Sequence, residues 1–184
     1  MTGILFVCYG NICRSPMAEF VMKDLTEKAG LQTEFLIESA ATSPCNTGSG
    51  VYPPARRMLS KHGIDCAGKR ARPLEHADYK RFDFLIGMDN ENIREIRRIC
   101  GGDPDGKIRL LLDFTGRPGE VADPWYTGDF EATWQDVSEG CRGLLERLIQ
   151  GDTRKTIRTA GKYWDKIKMS RDFDKPLDEF EEYT

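Results

Sequence analysis

Short apolar runs alternate with helix-like segments along the chain, and this alternation limits the possible folds more than any other sequence feature. The runs are rich in β-branched and aromatic residues and have the length of buried strands. They are "ILFVC" (4–8), "EFLIESA" (34–40), "FDFLIGM" (82–88) and "KIRLLLDF" (107–114). Strands that alternate with helices predict an α/β fold, in which helices cover both faces of a mostly parallel sheet.

Helix-like segments fill the intervals between these runs. They are "PMAEFVMKDLTEKAG", "PARRMLSKHG", "MDNENIREIRRICG" and "FEATWQDVSEGCRGLLERLIQG". Pro16 suits the first helical position of the first segment, and Gly30 and Gly63 suit helix ends. Asp89 or Asn90 is predicted as the N-cap of the third helix, and for Asp89 this role is favoured over that of a catalytic acid.

The length and charge of the chain narrow the class of protein. A chain of 184 residues suits one domain with an appendage. Its 27 basic and 30 acidic residues give a formal net charge of −3, which predicts no nucleic acid or membrane partner. No apolar stretch has the length of a membrane span, and no signal-peptide pattern is visible, so we expect a cytoplasmic protein.

The six cysteines do not form a disulfide framework or a metal-binding pattern. They stand at positions 8, 13, 45, 66, 100 and 141, and none forms a Cys-x2-Cys pair. His62 and His76 are the only histidines, too few to complete a zinc site with these thiols. We therefore expect reduced thiols, no metal and no cofactor.

The opening stretch "ILFVCYGNICRSPMAEF" (4–20) combines a strand, a glycine-containing loop and a helix start. Backbone N–H groups of such a loop and of the first helical turn can surround one anion of phosphate size. Arg14 adds a planar fork of donors that matches two phosphate oxygens. Ligands of parallel α/β folds bind at this edge of the sheet, so the stretch predicts a phosphate site.

A cysteine at the end of the first strand faces that positive potential and is expected to be a nucleophilic thiolate. Ser15 could cap the helix and could also donate its hydroxyl to the sulfur of Cys8. Asn11 suits a left-handed backbone position and side-chain hydrogen bonds that hold the loop. Alone, a cysteine before a helix is usually a small buried apolar residue, but the full Cys-x5-Arg-Ser-Pro string favours catalysis.

"VCYGNICRSPMAE" resembles the signature of the low-molecular-weight protein tyrosine phosphatases. Later stretches of the chain match further landmarks of that family in the same order. They are "ESAATS" (38–43), "PPARRMLSKHGI" (53–64), "RARPL" (70–74) and "ADPWY" (122–126). The resemblance covers about residues 3–150 and implies a four-stranded parallel sheet and metal-free hydrolysis of phosphomonoesters through a cysteinyl-phosphate.

The resemblance also implies a role for individual residues. Cys8 is similar to the family's nucleophile, Arg14 to its phosphate clamp and Asp123 to its general acid, which later acts as a base. Asn11, Ser15 and Ser39 resemble loop-supporting residues, and Cys13 resembles a second cysteine that can pair reversibly with the nucleophile. The implied phosphate-binding loop consists of Tyr9, Gly10, Asn11, Ile12, Cys13, Arg14 and Ser15.

The acid assignment has a physical basis beside the resemblance. A tyrosyl oxygen leaves phosphorus more readily when it is protonated, so one carboxyl group is required. Asp123 precedes Pro124, which stiffens its loop, and Trp125 and Tyr126 could stack on an aromatic substrate. Alone, Asp-Pro-Trp would favour a simple turn, and only its combination with the opening motif favours an acid.

Two residues depart from the family pattern. Cys45 stands where many relatives place an aromatic or bulky wall of the substrate cleft, and we assign it to that cleft together with Trp125 and Tyr126. Lys69 replaces a histidine that relatives often have at this point. These departures leave open the fit of the substrate and the histidine-assisted support of the loop.

Three other functions remain open. A thioredoxin-coupled arsenate reductase would need a downstream cysteine pair, but Cys100 stands alone. A protein arginine phosphatase has threonine at the position of Ile12. The isoleucine of this chain favours phosphotyrosine as the substrate. A non-catalytic phosphate-binding module would be expected to lack Cys8 or Asp123, and both are present.

Residues 1–150 are predicted to form the phosphatase-like domain, and 151–184 a C-terminal extension of charged and aromatic composition. Residues 153–169 can form a basic amphipathic helix, followed by an acidic segment. The expected partner is a phosphotyrosine-containing protein, with a bacterial tyrosine kinase as one candidate. The tail is expected either to dock a partner or to pack on its own domain.

Overall fold

Four parallel strands form one sheet in a computed structural model that describes residues 1–151. The strand order is β2–β1–β3–β4, and every neighbouring pair is parallel. The strands are β1 Thr2–Cys8, β2 Phe35–Ala41, β3 Phe84–Gly87 and β4 Ile108–Leu110. The predicted α/β fold is confirmed, and residues 152–184 of the predicted extension lie outside the described residues.

Six α-helices and two 3₁₀ turns accompany the strands within residues 1–151, and the last turn and last two helices follow β4. The helices are α1 Arg14–Lys28, α2 Pro53–Lys61, α3 Asp78–Arg81, α4 Asn90–Cys100, α5 Pro124–Thr127 and α6 Phe130–Gln150. The 3₁₀ turns are Pro44–Asn46 and Leu111–Phe114. In this part of the chain, no helix is both long and apolar enough to span a membrane.

The central strand β1 is covered on both faces. Ile4 and Phe6 belong to the core beneath α1, α2 and α6, whereas Leu5 and Val7 belong to the core beneath α3 and α4. Successive side chains of a strand point to opposite faces, so a strand covered on both sides must be apolar throughout. This explains the unbroken apolar run before Cys8.

The structure corrects several predicted boundaries. Helix α1 begins at Arg14, two positions before Pro16, and Ser15 lies inside its first turn and makes no cap. The run "KIRLLLDF" contributes only the three residues of β4. Because the Asp113 Oδ2 atom accepts a hydrogen bond from the Leu110 N–H at 3.1 Å, the chain turns into a 3₁₀ helix there. The short helices α3 and α5 were not predicted.

Helix α6 approaches the Leu111–Phe114 turn so closely that it requires glycine. A Cβ atom at Gly143 would lie 2.2 Å from the Phe114 carbonyl oxygen, which belongs to the backbone and cannot rotate away. We expect Gly143→Ala to destabilise the protein by about 1–3 kcal/mol despite alanine's higher helix propensity. Urea unfolding of Gly143→Ala and of Glu146→Ala, an exposed position of the same helix, measures the effect.

Candidate active site

The loop between β1 and α1 is held in an unusual backbone conformation. Asn11 has a φ of 53°, the only positive φ of a non-glycine residue within residues 1–151. Asparagine tolerates this left-handed region better than most residues. A Cβ atom at Gly10 would lie 2.5 Å from the side-chain nitrogen of Asn46, so a larger residue there would require the Asn46 side chain to move.

The side chain of Asn11 fixes the loop from inside the protein. Its amide nitrogen donates to Ser39 Oγ at 2.7 Å and to Ser15 Oγ at 3.0 Å. Its carbonyl oxygen accepts from the Arg72 N–H at 3.1 Å. Asn11 and Ser39 are buried, so these bonds are shielded from water. The residues predicted to support the loop therefore lie in one network.

Cys8 ends β1 at the base of the loop. Its Sγ atom lies 3.0 Å from Ser15 Oγ, a hydrogen bond in which either atom could donate. Cys8 is buried as a residue, yet it lines the cleft that opens above the loop. The position of Ser15 in the first helical turn directs its hydroxyl toward this sulfur.

Arg14 is buried beside the loop and contacts two carboxylates. Its Nη1 atom lies 2.6 Å from Asp89 Oδ2, and its Nη2 atom lies 2.6 Å from Asp123 Oδ2. Nη1 also donates to the Val121 carbonyl at 3.1 Å. Burial lowers the pKa of Arg14, but the interactions with Cys8, Asp123 and Asp89 together have the larger effect. The pKa of Arg14 therefore lies above its ordinary value. The guanidinium therefore stays charged.

The two aspartates reach Arg14 from helix starts. Asp123 precedes α5 and accepts from the Trp125 N–H at 2.9 Å. Asp89 is the N-cap of α4 and accepts from the Asn92 N–H at 2.7 Å. The predicted cap role of Asp89 is confirmed, whereas its ion pair with Arg14 was missed. Its position directly after a strand was the available signal.

The cleft above the loop has a volume of 520 Å³ and an aromatic rim. Its lining includes the predicted Cys45, Trp125 and Tyr126, together with loop residues and Asp123. Tyr126 is 87% exposed and Trp125 is 61% exposed, and the Trp125 ring lies 5.3 Å from that of Tyr52. Large aromatic surfaces left open to solvent are typical of binding sites.

Two further features complete the chemistry of the site. Burial, reinforced by the charges of Cys8 and Asp123 and opposed by Arg14, raises the pKa of Cys13 to about 12, so this thiol stays protonated near neutrality. Within residues 1–151, no group of three or more His, Cys, Asp or Glu side chains is arranged to hold a metal ion.

Sequence reasoning missed the buried carboxylate of Glu19. It accepts from Ser39 Oγ at 2.6 Å and pairs with Lys69 Nζ at 2.6 Å. Glu19 lies one helical turn after Ser15 and one before Met22 on the buried face of α1, and this spacing could have revealed it. Lys69, noted only as a departure from the family, thus contacts the loop support.

A parallel α/β fold whose first strand ends in a cysteine, followed by a glycine-containing loop and a buried arginine, is typical of proteins that act on phosphate groups. Residues 3–155 match the family described as low molecular weight phosphotyrosine protein phosphatase. The chain belongs to this family, whose named members are hydrolases.

Individual relatives support this assignment. The low molecular weight protein-tyrosine-phosphatase YfkJ of Bacillus subtilis is 39% identical over 150 residues, covering 80% of this chain and 96% of the relative. The YfkJ crystal structure has a TM-score of 0.80 at 37% identity, with 83% and 98% of the two chains covered. An arginine phosphatase from Drosophila has a TM-score of 0.74 at 29% identity, with 84% and 99% covered.

The burial of the thiols leads to a labelling prediction. Cys45 is the only exposed cysteine of the six. We expect Cys8→Ser protein to show a single fast thiol toward Ellman's reagent at pH 7, and additional Cys45→Ser substitution to remove it. In that double variant, labelling of Cys13 should accelerate about tenfold per pH unit as its thiolate fraction rises. Fast labelling of Cys13 at pH 7 would contradict its burial.

Proposed function

We propose that the protein hydrolyses phosphotyrosine in proteins, and small aryl phosphates, through a cysteinyl-phosphate intermediate. The observation that carries this proposal is the meeting of three groups in one cleft: the Cys8 thiol, the Arg14 guanidinium and the Asp123 carboxylate. A nucleophile, a permanent cation and an acid are the groups that metal-free phosphoryl transfer to a thiol needs.

In the first step, the Cys8 thiolate attacks phosphorus and the bond from phosphorus to the tyrosyl oxygen breaks. Protonated Asp123 gives its proton to that oxygen, so tyrosine leaves as a neutral phenol. Arg14 and the loop N–H groups carry the charge of the phosphoryl oxygens. Ser15 donates to the sulfur and stabilises its negative charge before attack.

In the second step, Asp123 accepts a proton from water and the resulting hydroxide attacks phosphorus. The bond from phosphorus to sulfur breaks, inorganic phosphate leaves, and the Cys8 thiolate is restored. One carboxyl group thus serves as acid and then as base, and its proton is regained in each cycle. Asn11 and Ser39 act indirectly, because they hold the loop whose backbone N–H groups point toward the phosphoryl oxygens.

The aromatic rim supports phosphotyrosine over phosphoarginine as the substrate. Trp125 and Tyr126 offer faces against which a tyrosyl ring can stack. Ile12 also lines the cleft and contributes apolar surface beside the leaving group. The similarity to an arginine phosphatase keeps phosphoarginine as the second candidate. Residues 1–150 are the proposed phosphatase domain, and a bacterial tyrosine kinase is one candidate source of its substrate.

The purified full chain should release phosphate from a phosphotyrosine peptide and from p-nitrophenyl phosphate with EDTA present. It should act more slowly on a matched phosphoarginine peptide. The physical reason is that Arg14 and the loop amides compensate the phosphoryl charge without a cation from solution. Phosphate release is measured directly, and loss of activity in EDTA or preference for phosphoarginine would contradict the proposal.

Two variants separate this chemistry from simple anion binding. Cys8→Ser should lose turnover, because its alcohol has no adjacent base to ionise it. Arg14→Lys should lose about 10³-fold or more, since a point charge cannot replace the planar fork. Circular dichroism checks that both variants fold, and a folded variant with near-wild-type rates would reject the assignment.

Asp123→Asn tests the acid, because the amide cannot deliver the proton. We expect a loss of about 10²–10⁴-fold with phosphotyrosine and a much smaller loss in the chemical step with p-nitrophenyl phosphate, whose leaving group needs no proton. Asp89→Asn is the matched control, since Asp89 also pairs with Arg14 and should affect both substrates equally. Single-turnover measurements isolate this step. Equal losses for the two substrates in Asp123→Asn would indicate a structural role.

A further inference from the structure

Glu91 is a charged side chain of the cleft that the proposed reaction does not use. It lies in the first turn of α4 and is exposed. The other charged residues that line the cleft are Arg14, Asp89 and Asp123, and both aspartates pair with the arginine. The Glu91 side chain makes no hydrogen bond or ion pair with any residue in the range 1–151. Its carboxylate is therefore available to a ligand in the cleft.

The charged residues next to Glu91 do not fill this role. Glu120 accepts hydrogen bonds from the Asn90 N–H at 2.9 Å and from the Asn90 side-chain amide at 2.6 Å. Arg94 stands three residues further along α4, and it neither pairs with Glu91 nor belongs to the residues that line the cleft. Among the described residues around the start of α4, Glu91 thus supplies the free charge at the cleft.

The aromatic rim offers a second way to bind a cation. Tyr9 is 57% exposed and lines the cleft together with Trp125 and Tyr126. Apart from Met1, these three are the large apolar side chains of residues 1–151 that are exposed. The faces of Trp and Tyr rings attract cations, and the planar guanidinium of arginine can stack on them. A free carboxylate and open aromatic faces in one cleft therefore both suit a basic side chain.

We propose that Glu91 is a specificity-determining residue, which favours phosphotyrosine sites flanked by arginine over sites flanked by acidic residues. With the phosphoryl group at Arg14, the residues beside the phosphotyrosine lie toward the mouth of the cleft. An arginine there can pair with the Glu91 carboxylate and stack on the rim, whereas a glutamate there is repelled. This inference rests on the proposed function, because it requires phosphotyrosine to occupy the cleft.

The charge balance of the cleft favours the same substrates. The lining has one cation, Arg14, and three carboxylates, so it is net negative. A bound phosphoryl group adds further negative charge. A basic flanking residue of the substrate offsets this charge, and an acidic one increases it.

The test compares two phosphotyrosine peptides in the full chain, one with arginine and one with glutamate on both sides of the phosphotyrosine. We expect kcat/KM to be about fivefold higher for the arginine peptide, in the range of an exposed ion pair gained and a repulsion avoided. The difference should lie mainly in KM, because the flanking residues do not contact the reacting atoms. It should shrink at high salt, which screens exposed charges.

Glu91→Gln removes the charge and keeps the size of the side chain. It should lower the ratio of the two kcat/KM values to about twofold, which is in the range that the aromatic faces alone supply. Glu91→Lys should lower the ratio to about one or below. Glu95→Gln is the matched control and should keep the wild-type ratio, because it removes the same charge one turn further along α4, from a residue that pairs with Arg98 and is not among those that line the cleft.

Three outcomes would overturn the proposal: equal kcat/KM values for the two peptides in the wild type, an unchanged ratio in Glu91→Gln, or an equal loss of the ratio in Glu95→Gln. Calorimetric binding of the same peptides to Cys8→Ser protein measures their discrimination without turnover. If the wild type hydrolyses neither peptide, yet Cys8→Ser protein binds the arginine peptide more tightly and additional Glu91→Gln substitution removes this advantage, the proposed function is rejected and the role of Glu91 is supported. Hydrolysis of both peptides at equal rates would do the reverse.

Discussion

The arrangement of the site depends on compensating the buried positive charge of Arg14. Arg14 is 3% exposed, and a guanidinium removed from water is stable only when its charge and its donors are matched. Asp89, Asp123 and the Val121 carbonyl supply that match. Asp89 precedes α4, whereas Val121 and Asp123 lie in the segment before α5, so Arg14 links the loop to two distant parts of the chain.

The parallel sheet determines which segments can reach this cation. Strands β1 and β3 are adjacent, with Val7 opposite Gly87, so their carboxyl ends bring Cys8 and Asp89 to the same edge. The segment that carries Asp123 is tied there by Val121, whose N–H donates to the Met88 carbonyl at 2.8 Å. The Val121 carbonyl then accepts from Arg14. Val121 thus connects the segment of Asp123 to both the sheet and the guanidinium.

Local patterns made much of this arrangement predictable. The apolar run 4–8 and the glycine-containing loop predicted the transition from strand to helix. A strand buried on both faces and a loop before a helix can each be recognised from a short stretch of sequence. The Ser39 contact and the Lys69–Glu19 pair depend on how distant segments pack, which residue spacing alone does not encode. The failure at 107–114 has a similar origin, since Asp113 bonds the Leu110 backbone and ends the strand early.

The Arg14–Asp123 contact implies an order of events in the proposed reaction. While it accepts the hydrogen bond of Arg14, the Asp123 oxygen is not available to the oxygen of a leaving group. A phosphoryl dianion competes for the same planar fork and offers two charges where Asp123 offers one. Once Arg14 bonds the substrate, the Asp123 carboxyl group is released from the guanidinium and is free to contact the oxygen of the leaving group. Substrate binding thereby prepares the acid that the leaving group requires, while Asp89 can keep the guanidinium in place.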